Sequence, residues 1–271
     1  MSAVDQLFAD LRSEGRKALM PFFTAGDPDM ATTAQVIQAA QAAGANLCEI
    51  GVPYSDPIAD GPVIQASYQR SLDRGFRLQQ IMDLGEDLKS EVTMPLVSMV
   101  SYAIIYRVGL KKYVQQAKAA GYAGAIVPDL LVEEATELSR ICADEDFSLV
   151  QLVTPTTPRE RQVRIAESSS GFLYYVSVAG ITGERTALPE DLVDNVKWLR
   201  GQTELPICIG FGISGPETAA RLAPVADGLI VGSAVVRRVH DAGNSDSAVT
   251  HVTDFVKALR DAIDSAPNDL L

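Results

Sequence analysis

Apolar residues fall along the chain in two patterns. Short runs with few or no polar residues recur at 18–24 (ALMPFFT), 46–52 (NLCEIGV), 95–101 (PLVSMVS), 124–129 (GAIVPD), 148–154 (SLVQLVT), 171–178 (GFLYYVSV), 206–212 (PICIGFG) and 228–232 (GLIVG). Runs of this length bounded by turn residues predict eight buried strands. Between them lie longer segments of helix formers, such as 29–44, 108–121 and 188–200, with Gly44 and Gly121 where a helix stop belongs. Eight near-even β/α units with no break in composition predict one domain over 1–271, a parallel (β/α)8 or TIM barrel; a doubly wound sheet is the alternative. An extra N-terminal helix is expected at 2–12, where Val4, Leu7, Phe8 and Leu11 share a face behind Ser2 and Asp5. It would cover the N-terminal end of the barrel. The 62–90 segment has room for two additional helices.

Strand alternation assigns directions. In the second strand Cys48, Ile50 and Val52 share one face, suited to covering helices, while Leu47, Glu49 and Gly51 point into the barrel. Glu49 then lies near the C-terminal end of its strand, where barrels of this kind place their chemistry. Desolvation there raises a carboxyl pKa toward the range a general acid or base needs. The plainer alternative is a glutamate bound to a backbone N–H or an arginine. For Asp60, in the turn SDPIADGP, two readings stand: a turn former, or a second carboxylate bent over the barrel mouth to face Glu49. Pro57, Gly61 and Pro62 restrict that backbone and predict a shaped loop. Asp56, before Pro57, reads first as a turn residue.

Glycine-bearing loops follow the last three strands, at 180–186, 210–215 and 232–236. Gly212, Gly232 and Ser233 suit a phosphate held by backbone N–H groups after strands seven and eight. The GFGISG match to a dinucleotide fingerprint is weak, because it falls on the seventh strand with no acidic residue closing a following one. Phe22, Tyr102, Tyr174 and Phe211 lie near C-terminal strand ends, each a core residue or an aromatic contact, and as a set they suit a flat apolar substrate with a phosphate tail.

Composition narrows the chemistry. The chain has 271 residues, 47% hydrophobic, and a formal charge of -12. Such an acid excess repels nucleic acid. The N-terminus lacks the apolar segment of a secretory signal, and no window approaches 18 uninterrupted apolar residues, so neither export nor a membrane span is expected. Cys48, Cys142 and Cys208 have no metal or disulfide spacing and read as reduced core residues of a cytoplasmic protein. The only histidines, His240 and His251, lie near the C-terminus, so neither a His-based triad nor a His-rich metal site is expected. Lys17 begins the first strand and the other lysines fall in helical patterns, which disfavours Schiff-base chemistry. Carboxylates and shape remain.

The segments PFFTAGDPD, EIGVPYSDPIADGP, ITGERT, GFGIS and GSAVV run almost end to end, and with them the chain resembles the tryptophan synthase alpha subunit family. The resemblance implies a TIM barrel that cleaves indole-3-glycerol phosphate to indole and glyceraldehyde 3-phosphate. It implies no cofactor in this chain and a PLP-dependent beta subunit as partner in an alpha2-beta2 complex. By resemblance Glu49 and Asp60 are the catalytic carboxylates. Phe22, Tyr102, Tyr174, Thr182, Phe211 and Ile230 surround the indole, and Gly183, Gly212, Gly232 and Ser233 hold the phosphate. Pro53, Asp56 and Pro57 belong to the surface that meets the partner. One departure is visible: many members carry a YxN pattern where this chain has YAII, so Ile104 replaces a polar residue on the third loop. The polar stretch 179–192, with Thr182, is either a lid that orders over substrate or a passive surface loop. A stand-alone lyase, a non-catalytic activating subunit and another phosphate-binding barrel isomerase are the rival functions.

Overall fold

The structure, a computed structural model, describes residues 1–58, 60–177, 190–210 and 212–267. The chain opens with helix α1 (Ala3–Ser13), then strand β1 (Ala18–Thr24), α2 (Met30–Ala42) and β2 (Cys48–Gly51). Two helices follow, α3 (Pro62–Asp73) and α4 (Gln79–Leu88), before β3 (Leu96–Met99). Next come α5 (Tyr102–Val108), α6 (Leu110–Ala119), β4 (Tyr122–Ile126) and α7 (Ala135–Asp144). The fifth strand is in two pieces, β5 (Ser148–Val150) and β6 (Leu152–Val153), followed by α8 (Arg159–Glu167) and β7 (Leu173–Val176). The described chain ends with α9 (Glu190–Arg200), β8 (Ile207–Gly210), α10 (Pro216–Leu222), β9 (Gly228–Val231), α11 (Ser233–Asp241) and α12 (Ser245–Asp264).

All strand pairings are parallel, in the order β5-β4-β3-β2-β1-β9-β8-β7-β6. The two ends of that order are the halves of one stretch of chain, joined at Gln151. Val127 N–H donates to the Val150 carbonyl at 3.3 Å, and Tyr174 N–H donates to the Gln151 carbonyl at 3.1 Å. The first half pairs one neighbour and the second half the other, which closes the sheet into an eight-stranded barrel. At the break the buried Gln151 side chain donates to Ser168 Oγ at 2.7 Å.

Local signals account for the helix ends. Asp29 caps α2 by accepting from Thr32 N–H at 2.7 Å, and Gly44, at φ +102°, lets the chain leave the helix. The expected helix over 108–121 starts at Leu110 instead. Gly109, at φ +99°, separates it from the short α5. At the start of the chain Ser2 and Asp5 form a reciprocal cap, with bonds of 3.1 and 2.8 Å. That cap sets the helix that buries Val4, Phe8 and Leu11, with Leu7 at their edge, in the N-terminal end of the barrel, where the Phe8 and Phe172 rings lie 5.7 Å apart.

Strand parity divides the core. Cys48, Ile50 and Val52 pack outward among the helices. Met20, Phe22, Leu47, Val97, Cys208 and Ile230 pack inside the barrel. Among the described residues no helix is long and apolar enough to cross a membrane.

Candidate active site

A cavity of about 670 Å3 opens at the C-terminal end of the barrel. Its floor comes from successive strands: Phe22 of β1, Glu49 of β2, Met99 of β3, Tyr174 of β7 and Ile230 of β9 all line it. The register places Phe22 beside Glu49, and Glu49 beside Val97. Gly51 makes room for this arrangement. A Cβ there would lie 2.3 Å from Phe22 Cζ and 2.7 Å from the Tyr68 hydroxyl, so any larger residue would displace both.

Glu49 is 1% exposed, and neither of its carboxyl oxygens has a hydrogen-bond partner. The backbone or arginine partner that a purely structural glutamate needs is therefore missing. Burial without compensation pushes its pKa well above the usual carboxylate range. Asp60 lines the same cavity. Desolvation raises its pKa to about 6, and its buried Oδ2 is also unpartnered. Two carboxyls that differ in how far burial shifts them, on one cavity, can divide proton transfer from charge stabilisation.

The turn between them is held in shape. Asp60 N–H donates to the Pro57 carbonyl at 3.1 Å, and Ile58 N–H donates to the Asp56 carbonyl at 2.8 Å. From the first turn of α3, Gln65 Nε2 reaches back to the Asp60 carbonyl at 2.8 Å. Helix α3 is tied to β1 and the loop after it. Ser67 and Thr24 hydroxyls meet at 2.6 Å, Ser71 donates to the Ala25 carbonyl at 2.7 Å, and Arg70 makes a bidentate pair with the buried Asp27 at 3.0 and 2.5 Å.

At the other end of the cavity Gly212, Gly232 and Ser233 come together. Gly212 sits at φ +80°, and Ser233 begins α11, whose first N–H groups have no acceptor within the helix. Ser214, Arg237 and Arg238 line this end as well. That set is an anion cradle next to an apolar floor.

Of the residues singled out from sequence, Phe22, Glu49, Asp60, Tyr174, Gly212, Ile230, Gly232 and Ser233 therefore share one cavity. Tyr102 does not line it; its ring is partly buried against the helix-side core, 6.1 Å from Tyr106. Thr182, Gly183 and Phe211, and the stretch 178–189 of the anticipated lid, lie outside the described residues. Pro53 is buried, Asp56 is exposed and Pro57 is half-buried. Ile104 packs against the helix-side core, and the third loop is held instead by Asp129, which accepts from Ser101 Oγ at 2.6 Å and Tyr102 N–H at 2.7 Å.

Ile64, Met99, Ile213, Ser214 and the two arginines of α11 escaped the sequence reading. Parity on the third strand, counted on from its C-terminal end, would have found Met99. Ile64 looks like any core position of an amphipathic helix. Among the described residues no cluster of His, Cys, Asp and Glu has the makings of a metal site.

Comparison with known proteins adds to this geometry. The profile of the family described as "Tryptophan synthase alpha chain" matches residues 8–264. The chain is 66% identical to the tryptophan synthase alpha chain of Rhodopirellula baltica, over 98% of this chain and all of that protein. It is 44% identical to that of Microcystis aeruginosa, over 97% of this chain and all of that protein. Among solved structures, tryptophan synthase subunit alpha from Legionella pneumophila superposes with a TM-score of 0.89 at 32% identity, over 97% of this chain and 99% of that one. A chain of ligand-free tryptophan synthase from M. tuberculosis superposes with a TM-score of 0.87 at 26% identity, over 97% and 99% of the two chains.

Proposed function

The chain belongs to the tryptophan synthase alpha chain family, and from that premise we propose how the side chains at its barrel mouth serve the family's reaction. The enzyme is a carbon–carbon lyase of tryptophan synthesis. It cleaves indole-3-glycerol phosphate by a retro-aldol reaction, releasing indole and glyceraldehyde 3-phosphate.

In this reading Glu49 is the general acid and base. Its burial raises the carboxyl pKa and so favours the protonated form; it gives that proton to ring carbon 3, which makes indole a leaving group. It then takes the proton of the side-chain hydroxyl next to the breaking bond. The C–C electron pair returns to the ring, the hydroxyl carbon becomes the aldehyde, and Glu49 ends protonated as it began. Asp60, ionised above about pH 6, accepts the ring N–H and stabilises the positive charge of the indolenine. Phe22, Tyr174 and Ile230 flank the ring, joined by Thr182 and Phe211 on family resemblance. Gly212, Gly232 and Ser233, with Gly183 on the same basis, take the phosphate.

The observation that carries this reading is a fully buried, unpartnered Glu49 on the same cavity as Asp60. Feeding indole-3-glycerol phosphate to the pure chain and measuring indole tests it. Release of indole that Glu49→Gln abolishes is the expected result; equal release by that variant overturns the assignment.

We also assign the chain to an alpha2-beta2 complex, with PLP on the beta subunit and none here. Among the described residues, three of the four exposed large apolar side chains, Ile58, Tyr106 and Leu131, lie in the segments that follow β2, β3 and β4, Tyr106 within α5. Such a patch suits a protein partner, and Asp56 and Pro57 adjoin it, with the buried Pro53 at its root. Added beta subunit should raise indole turnover, and Ile58→Asp should weaken that response; a beta-independent rate would favour a stand-alone lyase. We further read the chain as one folding domain in the cytoplasm, where its three buried, free cysteines stay reduced.

A further inference from the structure

Two tyrosines next to the carboxyl pair are not used by the reaction as described. Tyr68, on α3, is 1% exposed, and its hydroxyl has no hydrogen-bond partner. The Tyr54 hydroxyl, on the loop after β2, is buried and unpartnered too. The two rings are 5.7 Å apart and tilted by 51°. Buried hydroxyls without partners are rare enough to need a reason.

Their surroundings supply one. Of the carboxylates acting on these two phenols, Asp60 acts most strongly on each. The Tyr68 hydroxyl also reaches the space above Gly51, beside the tip of the Phe22 ring, which lines the cavity. Asp60 Oδ2 is a buried acceptor still lacking a donor, as are both Glu49 oxygens, which the reaction itself uses. Tyr68 lies within α3 and Asp60 two residues before its start, and the helix is fixed to β1 and its following loop through Ser67, Arg70 and Ser71.

We propose that Tyr68, with Tyr54 behind it, is a positioning residue that donates its hydroxyl to the buried oxygen of Asp60 when a substrate seats, aiming the other oxygen at the ring N–H. This role rests on the reading of Asp60 as the acceptor for that N–H. A hydroxyl donated to a carboxylate favours its ionised form. It therefore holds Asp60 charged against the desolvation that a bound indole adds. Among the described residues, the other ionisable groups lining the cavity are Glu49 and Tyr174, with Arg237, Arg238 and Asp241 at the phosphate end, and Asp129 and Asp56 also act on Tyr54.

Tyr68→Phe keeps the ring and removes one oxygen. We expect kcat/KM to fall about tenfold and the acid limb of the kcat profile, which reports the substrate complex, to move up by about one pH unit, the size of one hydrogen bond to a charged group. A carbon-13 NMR titration of the Asp60 carboxyl, with a non-cleavable phosphorylated indole bound, should move the same way. Tyr54→Phe should give a smaller move in the same direction, and it stands in if thermal melting shows that Tyr68→Phe has lost the fold. In an Asp60→Asn background Tyr68→Phe should change nothing further. A fall in activity with neither the acid limb nor the Asp60 titration moved would mean that the tyrosine only packs, and overturns the role. If Asp60→Asn keeps full activity, the reading of Asp60 itself fails; if it loses activity while both tyrosine variants titrate like wild type, only the tyrosine role fails.

Discussion

The two ends of the barrel are built from the same strands with the same alternation, yet they treat buried polar groups in opposite ways. At the N-terminal end the buried oxygens are paired, although Arg200 Nε is not. Ser2 and Ser148 hydroxyls meet at 2.7 Å, and Asp227 accepts from Arg200 at 3.1 Å and from Ile207 N–H at 2.8 Å. Arg260 donates to the Lys17 carbonyl at 2.9 Å and to Asn46 at 3.1 Å. Helix α1 then seals this end with Val4, Phe8 and Leu11. At the C-terminal end Glu49, Asp60, Tyr54 and Tyr68 all carry buried oxygens without partners. An unsatisfied buried group costs about 1–3 kcal/mol, so the mouth is the destabilised end and the floor the stable one. Strain of this kind gathers where chemistry is done, since a carboxyl already satisfied by the protein has nothing left for a substrate.

The sharpest break of this contrast is Glu49→Gln. Turnover should fall by about 10³–10⁴-fold, as expected for loss of a general acid–base group, in an assay of indole release. The same variant should be more stable than wild type in thermal melts at pH 8. The sign follows from the raised pKa of Glu49. With the folded pKa above the unfolded value, its carboxyl favours the fold fully below the unfolded value, and that stability is lost as pH rises through the folded one. The gain should therefore shrink toward pH 4. A variant no more stable at pH 8 than at pH 4 would mean that Glu49 finds a partner in solution.

Asp60→Asn should cost about 10²–10³-fold in kcat, the range for removing one preorganised electrostatic partner of a transition state; a variant with most of its activity would return Asp60 to a turn former. At the opposite end, Phe8→Ala should destabilise by about 3–5 kcal/mol, measured by urea unfolding, while kcat per folded molecule stays at the wild-type value. A drop in kcat there would show that the two ends are coupled. The smallest effect is a titration. As pH falls through about 6, kcat/KM should decline as Asp60 takes up a proton, and in Asp60→Asn that limb should vanish.

Much of the site was legible because strand parity is a strict rule. Glu49 could be placed inside the barrel from its neighbours Cys48 and Ile50 alone, and the structure puts it there. The glycines of the proposed phosphate site were legible for a similar reason, since few other residues let an anion approach the backbone. Asp60 was ambiguous, because an Asp before Gly in a Pro-rich turn looks the same whether or not it faces a cavity. Tyr68 and Ile64 were missed because a residue on the buried face of a helix gives no sign of what it is buried against. Arg237 and Arg238 belong to no motif, and only the course of α11 along the cavity brings them to it.

By itself the sequence determined the eight strands, the helix stops at Gly44 and Gly121, the N-terminal plug expected at residues 2–12, and which face of β2 carries the acid. These are short-range properties, set by side-chain period, capping and glycine's access to positive φ. Only the tertiary structure decided that the fifth strand splits at Gln151 to close the barrel, that Asp60 shares a cavity with Glu49, and that two tyrosine hydroxyls are left unsatisfied beside them. Those depend on which loops a closed sheet brings together and which polar atoms it cuts off from water. Neither follows from any stretch of the chain taken alone.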